Sequence, residues 1–324
     1  MKLAEIKRLI ANTLRDDFIV YAPVKTDGQI FVEKIKNGSE IDWSSDIPAY
    51  PFKSIFLPPR ETMFHIKDGI FKEKFEKEKA VVWGINILDL RAFTLFEHVF
   101  AKDIYFQKRR QNMIIVGYAN GIENDLRKYK VFQPEYEENV LEHLLFDVFI
   151  ERQKDGNLLL FSGTQKGQKF LEKNNVKDYE NIEFAGLVPE QGVNPRIIAG
   201  RQAVENNEKH QLWNELSEIC LACGKCSIVC PTCFCFNQVD EPQLNGVRKE
   251  RHWANCFYPE FSKIAGGFKK LDTVAKRLYF WYFHKFVRIP EEFSYYGCVG
   301  CGRCVKACPV GIDIFRNLKT LSKS

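Results

Sequence analysis

Eight of the eleven cysteines fall into two runs of one spacing. The first is Cys220-Leu221-Ala222-Cys223-Gly224-Lys225-Cys226-Ser227-Ile228-Val229-Cys230-Pro231. The second is Cys298-Val299-Gly300-Cys301-Gly302-Arg303-Cys304-Val305-Lys306-Ala307-Cys308-Pro309. Both read C-x2-C-x2-C-x3-C-P, a spacing that holds [4Fe–4S] cubanes. Three thiolates on one tight loop wrap one face of a cubane, and the fourth points away to ligate the other cluster. The spacing therefore assigns Cys220, Cys223, Cys226 and Cys308 to a first cluster, and Cys298, Cys301, Cys304 and Cys230 to a second. Gly224 and Gly302 let each loop turn without a Cβ clash and bring N–H groups toward sulfide. Pro231 and Pro309 end the local turn.

Two other uses of these cysteines fit less well. Structural zinc favours two C-x2-C pairs, not four cysteines followed by proline. Disulfides need an oxidising compartment, which nothing in the sequence suggests. Three cysteines remain: Cys233, Cys235 and Cys256. Buried thiols are common, but Cys233 and Cys235 follow Cys230-Pro231 directly and would lie beside the second cluster. They are candidates for a third iron–sulfur site, with Asp240 or His252 as a fourth ligand. His252 precedes Cys256 by four residues, which puts both on one face if that stretch is helical.

The chain that must position these thiols has 324 residues, enough for two domains. No cysteine precedes Cys220. Residues 200–324 carry 18 Lys and Arg against 12 Asp and Glu, and the preceding residues carry 29 against 30. A basic host offsets part of the negative charge of thiolate-bound cubanes. There is no Lys/Arg tract or nucleic-acid motif. The start, MKLAEIKRLI, has no secretory apolar core, and no apolar run reaches a membrane span. The expectation is a cytoplasmic protein with no nucleic-acid or membrane partner.

Periodicity predicts a helix over residues 2–15, with Leu3, Ile6, Ile10 and Leu14 on one face. Short strands are expected near Phe18–Tyr21 and Gln29–Glu33, then buried strands at 81–85 and 112–117. A helix from about Leu88 to Phe100, with Leu88, Phe93, Phe96 and Phe100 near one face, and a second from Asp103 to Arg110 lie between them. Strand, helix, strand suggests an α/β unit, without the G-x-G-x-x-G turn of a dinucleotide site. Phe146–Arg152 and Asn157–Ser162 read as a hairpin around Asp155-Gly156, followed by a helix over Thr164–Lys173. Gly186–Pro195 reads as a linker and Ile197–Ile219 as one long helix. Arg109 and Arg110 read as a solvated or salt-bridged pair rather than an anion site. His65, His98 and His143 are isolated, and no Ser/His/Asp set stands out. The 67 residues between the runs include helix formers over Leu271–Phe286, and an aromatic stripe there is expected to be core. The predicted fold is a mixed α+β or α/β N-terminal domain over 1–195, then an α-helical ferredoxin-like iron–sulfur domain with two [4Fe–4S] clusters over 196–324.

Beyond the two runs, several segments resemble a known family. They are Cys230-Pro231-Thr232-Cys233-Phe234-Cys235-Phe236, Arg251-His252-Trp253 with Cys256, Gly266-Gly267, His284-Lys285 and Cys308-Pro309-Val310-Gly311-Ile312-Asp313. In the first half they are Pro51-Phe52-Lys53 with Phe56-Leu57-Pro58-Pro59, Gly84 to Asp89, Asp103-Ile104-Tyr105 and Arg109-Arg110. The family is the 4Fe–4S dicluster component of anaerobic sulfite reductase and of sulfhydrogenase, where it is the beta subunit. The chain departs from it at Leu88 and near Asn120, where many relatives carry Cys. The resemblance implies an electron-transfer subunit without catalytic residues of its own, placed between two partners. One is a flavin- and [2Fe–2S]-containing NAD(P)H reductase subunit, so flavin and NAD(P)H belong to the partner. The other is the catalytic subunit of either a nickel–iron hydrogenase or a sirohaem sulfite reductase. The competing readings are a stand-alone reductase built on a site-differentiated cluster at Cys233, Cys235 and Cys256, and a redox sensor or scaffold.

Overall fold

The apolar runs near residues 81 and 113 become the middle of a sheet. The computed structural model describes residues 3–16, 18–75, 78–129, 140–188, 193 and 195–323. Its strands are β1 (Ile19–Thr26), β2 (Gln29–Lys34), β3 (Arg60–Lys67), β4 (Ile70–Glu73), β5 (Ala80–Ile85), β6 (Met113–Ala119), β7 (Val148–Arg152), β8 (Leu158–Ser162), β9 (Glu180–Asn181), β10 (Phe236–Gln243) and β11 (Gly246–Trp253). The chain divides into two compact units, one of Met1–Phe56 with Phe75–Gly192, the other of Leu57–Lys74 with Val193–Ser324. Residues 189–192 and 194 of the expected linker lie outside the described residues.

The first unit is mixed α/β. Its seven strands run in the order β2-β1-β5-β6-β7-β8-β9. Strands β1, β5, β6 and β7 are parallel neighbours, and β2 and β8 join as antiparallel hairpin partners. Strands β5 and β6 are buried at every position, as parallel strands covered on both faces must be. The helices Leu3–Arg15 and Gln165–Lys173 place Ile6, Leu9, Ile10 and Leu171 in one core with Trp83, Val116 and Ile150. The Ile87–Val99 helix departs from the expected one-sided pattern. It is buried all round from Ile87 to Phe96, because Asp89 and Arg91 are inside as well. Asn86 makes this possible at the start: its Oδ1 accepts from Asp89 N at 3.0 Å and its Nδ2 donates to Asp89 Oδ2 at 2.8 Å. Gly117 in β6 has no room for a Cβ, which would strike Phe149 and Leu90.

Asp147 ties three elements of this unit together. Its carboxylate is fully buried and accepts from both Arg110 Nη atoms at 2.9 and 3.0 Å, from Ile115 N at 2.8 Å and from Thr164 Oγ1 at 2.8 Å. Burial opposes its charge, but Arg110 and Lys166 hold the carboxyl below the ordinary range. Arg110 is thus salt-bridged, to Glu97 as well, and Arg109 is buried with Nη1 donating to Phe56 O.

The second unit contains a four-stranded antiparallel sheet in the order β10-β11-β3-β4. Asp68 and Gly69, between β3 and β4, have φ of 51° and 77°, the paired positive values of a type I′ turn. Leu244-Asn245 is the two-residue loop between β10 and β11, where Gln243 pairs with Gly246. The expected long helix over 197–219 is two helices, Pro195–Glu205 and Leu212–Ile219. Asn207 explains the break. Its Nδ2 donates to Ala203 O at 2.8 Å and to Leu321 O at 3.3 Å, while its carbonyl accepts from Trp213 Nε1 at 2.7 Å. The side chain takes over carbonyl satisfaction at the helix end, as asparagine does outside helix interiors. The Val274–Phe283 helix buries Arg277, Leu278, Trp281 and Tyr282, so the inward part of the aromatic stripe is core. It runs into a π-helical turn, His284–Arg288. Among the described residues, no helix is long and apolar enough to cross a membrane.

One buried carboxyl in the first unit is poorly served. Asp125 Oδ1 accepts from Ser45 Oγ at 3.1 Å, but Oδ2 is buried without a hydrogen-bond partner. Burial raises its pKa from 3.8 to about 6. A raised folded-state pKa means the folded protein binds that proton more tightly, so stability is lost as pH rises between these values. Asp125→Asn keeps the Ser45 contact and removes the charge. The apparent Tm of the variant should equal the wild type near pH 4 and exceed it at pH 7–8, corresponding to about 1–2 kcal/mol. A variant less stable than wild type at pH 8 would contradict this account.

Candidate metal centre

The two cysteine runs adopt the same loop. In the first, Ala222 and Gly224 have φ of 49° and 72°; in the second, Gly300 and Gly302 have 73° and 70°. Each loop thus places its third and fifth residues in the left-handed region and then enters a short helix, Lys225–Ile228 or Arg303–Ala307. Three of the four positions are glycine, which takes this backbone without Cβ strain. Gly224 is held further: its carbonyl accepts from Asn255 Nδ2 at 2.9 Å, and a Cβ would strike the Asn255 side chain. At Gly302 a Cβ would meet open space.

Each loop lines its own cavity, and each cavity takes in the last cysteine of the other run. The first is lined by Cys220, Cys223, Cys226 and Cys308, with Cys304 also on its wall. The second is lined by Cys298, Cys301, Cys304 and Cys230. Trp281 and Ile314 contribute to both, and Leu278, Tyr282 and Ile312 complete the apolar wall of the first. Ile312 N donates to Cys308 Sγ at 3.3 Å. No two of the eleven cysteines are joined by a disulfide. Burial pushes the thiols of Cys226 and Cys304 far up and that of Cys298 to about 11. Such thiols stay neutral until a metal replaces the proton.

The donor set fits a polynuclear cluster better than a single ion. Among the described residues, the group of His, Cys, Asp or Glu whose ligand atoms all lie within 4.8 Å is Glu241, Glu250 and His252; no three cysteine sulfurs come that close. Tetrahedral zinc sets its sulfurs about 3.8 Å apart. The Glu241–Glu250–His252 group is itself an ion-pair cluster. Glu250 is buried and is paired with Arg60 and Arg248, while His252 Nε2 lies 2.8 Å from its Oε2.

The remaining thiols lie near Cys226 and Cys230 of the first run. Cys256 is buried and Cys233 and Cys235 are half-buried. Burial and the neighbouring Cys235 raise Cys256 to about 12. Cys230 hydrogen-bonds with Cys233. His252 sits on β11, a strand, so it does not share a helical face with Cys256, and its ring faces Glu250. Asp240 is exposed and ion-paired with Lys249 at 2.8 Å.

Lys285 is the residue that spacing alone did not single out. It is buried, and its Nζ lies 2.9 Å from Cys230 Sγ. Burial opposes its charge, but the sulfurs of Cys230, Cys233 and Cys298 hold its pKa well above the lysine value. Burial likewise opposes a Cys230 thiolate, yet Cys233, Lys285 and Thr232 bring that thiol well below its ordinary value. The available signal was a lysine inside an aromatic run, Tyr279 to Phe286, where a solvated side chain is out of place.

These features define an iron–sulfur protein with a C-terminal 4Fe–4S dicluster domain, and residues 219–312 match the family described as 4Fe-4S dicluster domain. Over nearly its whole length the chain is similar to "Sulfhydrogenase 2 subunit beta" of Pyrococcus furiosus, with 27% identity over 319 residues, covering 93% of this chain and 92% of the relative. Together the two matches support the resemblance to the dicluster subunit family. No solved structure matches the chain.

The unequal surroundings of the paired glycines give a test. Gly224→Ala meets both an unfavourable φ and the Asn255 side chain, whereas Gly302→Ala meets the φ alone, a cost of about 1 kcal/mol. Iron release during anaerobic incubation with a chelator should be fastest for Gly224→Ala, intermediate for Gly302→Ala and slowest for wild type. The reverse order of the two variants would show that Asn255 does not brace the first loop.

Proposed function

We propose that this chain is the electron-relay subunit of a multi-subunit oxidoreductase. It holds one [4Fe–4S] cluster on Cys220, Cys223, Cys226 and Cys308, and another on Cys298, Cys301, Cys304 and Cys230. The observation that carries this is the exchange of the fourth cysteine, which makes each cavity a four-thiol site drawn from both runs. Such clusters, when bound, take up and release one electron at a time. The protein's part is to hold the thiols, to donate N–H groups to sulfur and to keep water out with Trp281, Tyr282 and Leu278.

The partners follow from the resemblance. A flavin- and [2Fe–2S]-containing subunit would exchange hydride with NAD(P)H. A catalytic subunit would hold the substrate site, and likeness to a sulfhydrogenase subunit favours a hydrogenase over a sulfite reductase. The proposed compartment is the cytoplasm. The proposed domain division is 1–195 and 196–324, the latter a helical ferredoxin-like domain to which the β3–β4 hairpin is added. Cys233, Cys235 and Cys256 would hold a third iron–sulfur cluster. Its fourth ligand would be Asp240 or His252, released from Lys249 or Glu250, or a residue of a partner.

The anaerobically purified chain should contain at least eight iron atoms in [4Fe–4S] form. Mössbauer spectroscopy with iron analysis checks this, and four irons or zinc alone would refute the two-cluster reading. By itself the chain should not oxidise NAD(P)H; it should be reduced by NAD(P)H once the flavoprotein subunit is added. Rapid NAD(P)H oxidation by the isolated, flavin-free chain would contradict the relay role.

The third site has a separate test. Changing Cys233, Cys235 and Cys256 together to Ala should lower the iron content by about four atoms and remove one reduced EPR species, as expected if they hold one further cubane. Unchanged iron and an unchanged spectrum would leave the three thiols as packing residues.

A further inference from the structure

The cysteines and their apolar wall account for cluster binding, but they leave a buried cation without a role. Lys285 is 3% exposed and sits in the π-helical turn His284–Arg288. Such turns often mark functional positions. Its Nζ is 2.9 Å from Cys230 Sγ, 3.2 Å from Thr232 Oγ1 and 3.2 Å from Gly297 O. The Trp281 ring lies beneath it, with its centroid 5.2 Å away. Among the described residues no carboxylate pairs with it. An ammonium held out of water needs a counter-charge, and the nearest candidates are the sulfurs of the second cavity. Thr232 fixes the arrangement: its Oγ1 donates to Gly297 O at 2.6 Å and lies 3.1 Å from Cys230 Sγ.

We propose that Lys285 is a fixed positive charge that raises the reduction potential of the cluster on Cys298, Cys301, Cys304 and Cys230 above that of the cluster on Cys220, Cys223, Cys226 and Cys308. The inference rests on the dicluster reading given above. Reduction adds one electron, and so one negative charge, to a cluster. A cation at hydrogen-bond distance from a ligand sulfur stabilises the reduced form more than the oxidised form, and cluster potentials respond to charge and hydrogen bonds at sulfur. In a water-poor interior this effect is weakly screened. Among the described residues that line the first cavity none is a buried cation. The lysine on its wall, Lys225, is exposed to water, which screens it. An electron supplied by a reduced partner would therefore settle on the second cluster in preference to the first. Lys285 acts through Cys230, and is a positioning residue for charge.

The test is an EPR-monitored redox titration of the full chain, loaded and purified anaerobically, with dithionite as reductant. Cys301→Ser identifies the signal of the second cluster. In Lys285→Met and Lys285→Gln that signal should titrate at a more negative potential while the first cluster is unmoved. In Lys285→Arg, which keeps the charge, it should stay near the wild-type position. A lysine needed only for packing would not separate the charged from the neutral variants. The proposal is overturned if the neutral variants hold wild-type iron with both midpoints unchanged, if the first cluster shifts instead, or if neither neutral variant can be loaded, which would assign Lys285 to assembly. Iron analysis of the wild type separates the two levels. Fewer than two cubanes there would sink the dicluster reading itself, whereas two cubanes with an unmoved midpoint would sink only the role of Lys285.

Discussion

A charge held away from water must find a partner or give up its proton, and the second unit is arranged around that requirement. Its cysteine sulfurs lie against Trp281, Tyr282, Leu278 and Ile314, where unpaired thiolates are costly. The protein meets the cost locally with Lys285 at Cys230, with the Ile312 N–H at Cys308, and with left-handed loop backbones that turn amides inward. The same demand accounts for a lysine among aromatic residues, in the π-helical turn where its Nζ meets Cys230 Sγ.

The first unit solves the same problem with ordinary ions. Asp147 is as deeply buried as any group in the chain, and Arg110 and Lys166 neutralise it while Ile115 N and Thr164 Oγ1 fill its remaining acceptor positions. Asp125, with one oxygen unserved, lacks that treatment. The comparison separates a satisfied buried carboxylate from an unsatisfied one within a single sheet domain. The satisfied one binds strand, helix and cap together, while the other is a local weakness.

What could be read from the chain was what is encoded locally. Cysteine spacing and the glycines at 224 and 302 describe a loop that a dozen residues determine by themselves. The apolar runs at β5 and β6, the helix beginning near Thr164 and the Asp155-Gly156 hairpin are equally self-contained. Elements decided by distant partners were not legible. The break at Asn207 depends on Leu321 O and Trp213, and the burial of the Ile87–Val99 helix on all sides depends on what covers its polar residues. Strands β10 and β11 have too many charges to alternate cleanly; they form because Glu250 and Arg251 find Arg60 and Glu61 on β3. Asp68-Gly69 is a local signal of the β3–β4 hairpin, since both residues take the positive φ of a two-residue turn. In the sequence Lys285 figures only as part of a resemblance segment, without a role, for a related reason: lysine is ordinarily at the surface, and only its aromatic neighbours argue otherwise.

The place of β3 in the second unit has a consequence for biosynthesis. Arg60 and Glu250 meet across 190 positions of sequence. At ribosomal speeds of about 5–20 residues per second, the β3–β4 hairpin waits roughly 10–40 seconds for β11 to emerge. During that interval Ile66, Ile70 and Phe71, which stay partly exposed even in the finished fold, flank a strand edge open to other chains. The first cavity waits longer than the hairpin, because Cys308, which completes it, comes 55 residues after the end of β11. The nascent chain therefore carries an unpaired hairpin and an incomplete set of thiols at the same time, and the hairpin finds its partner strand before the thiols find theirs.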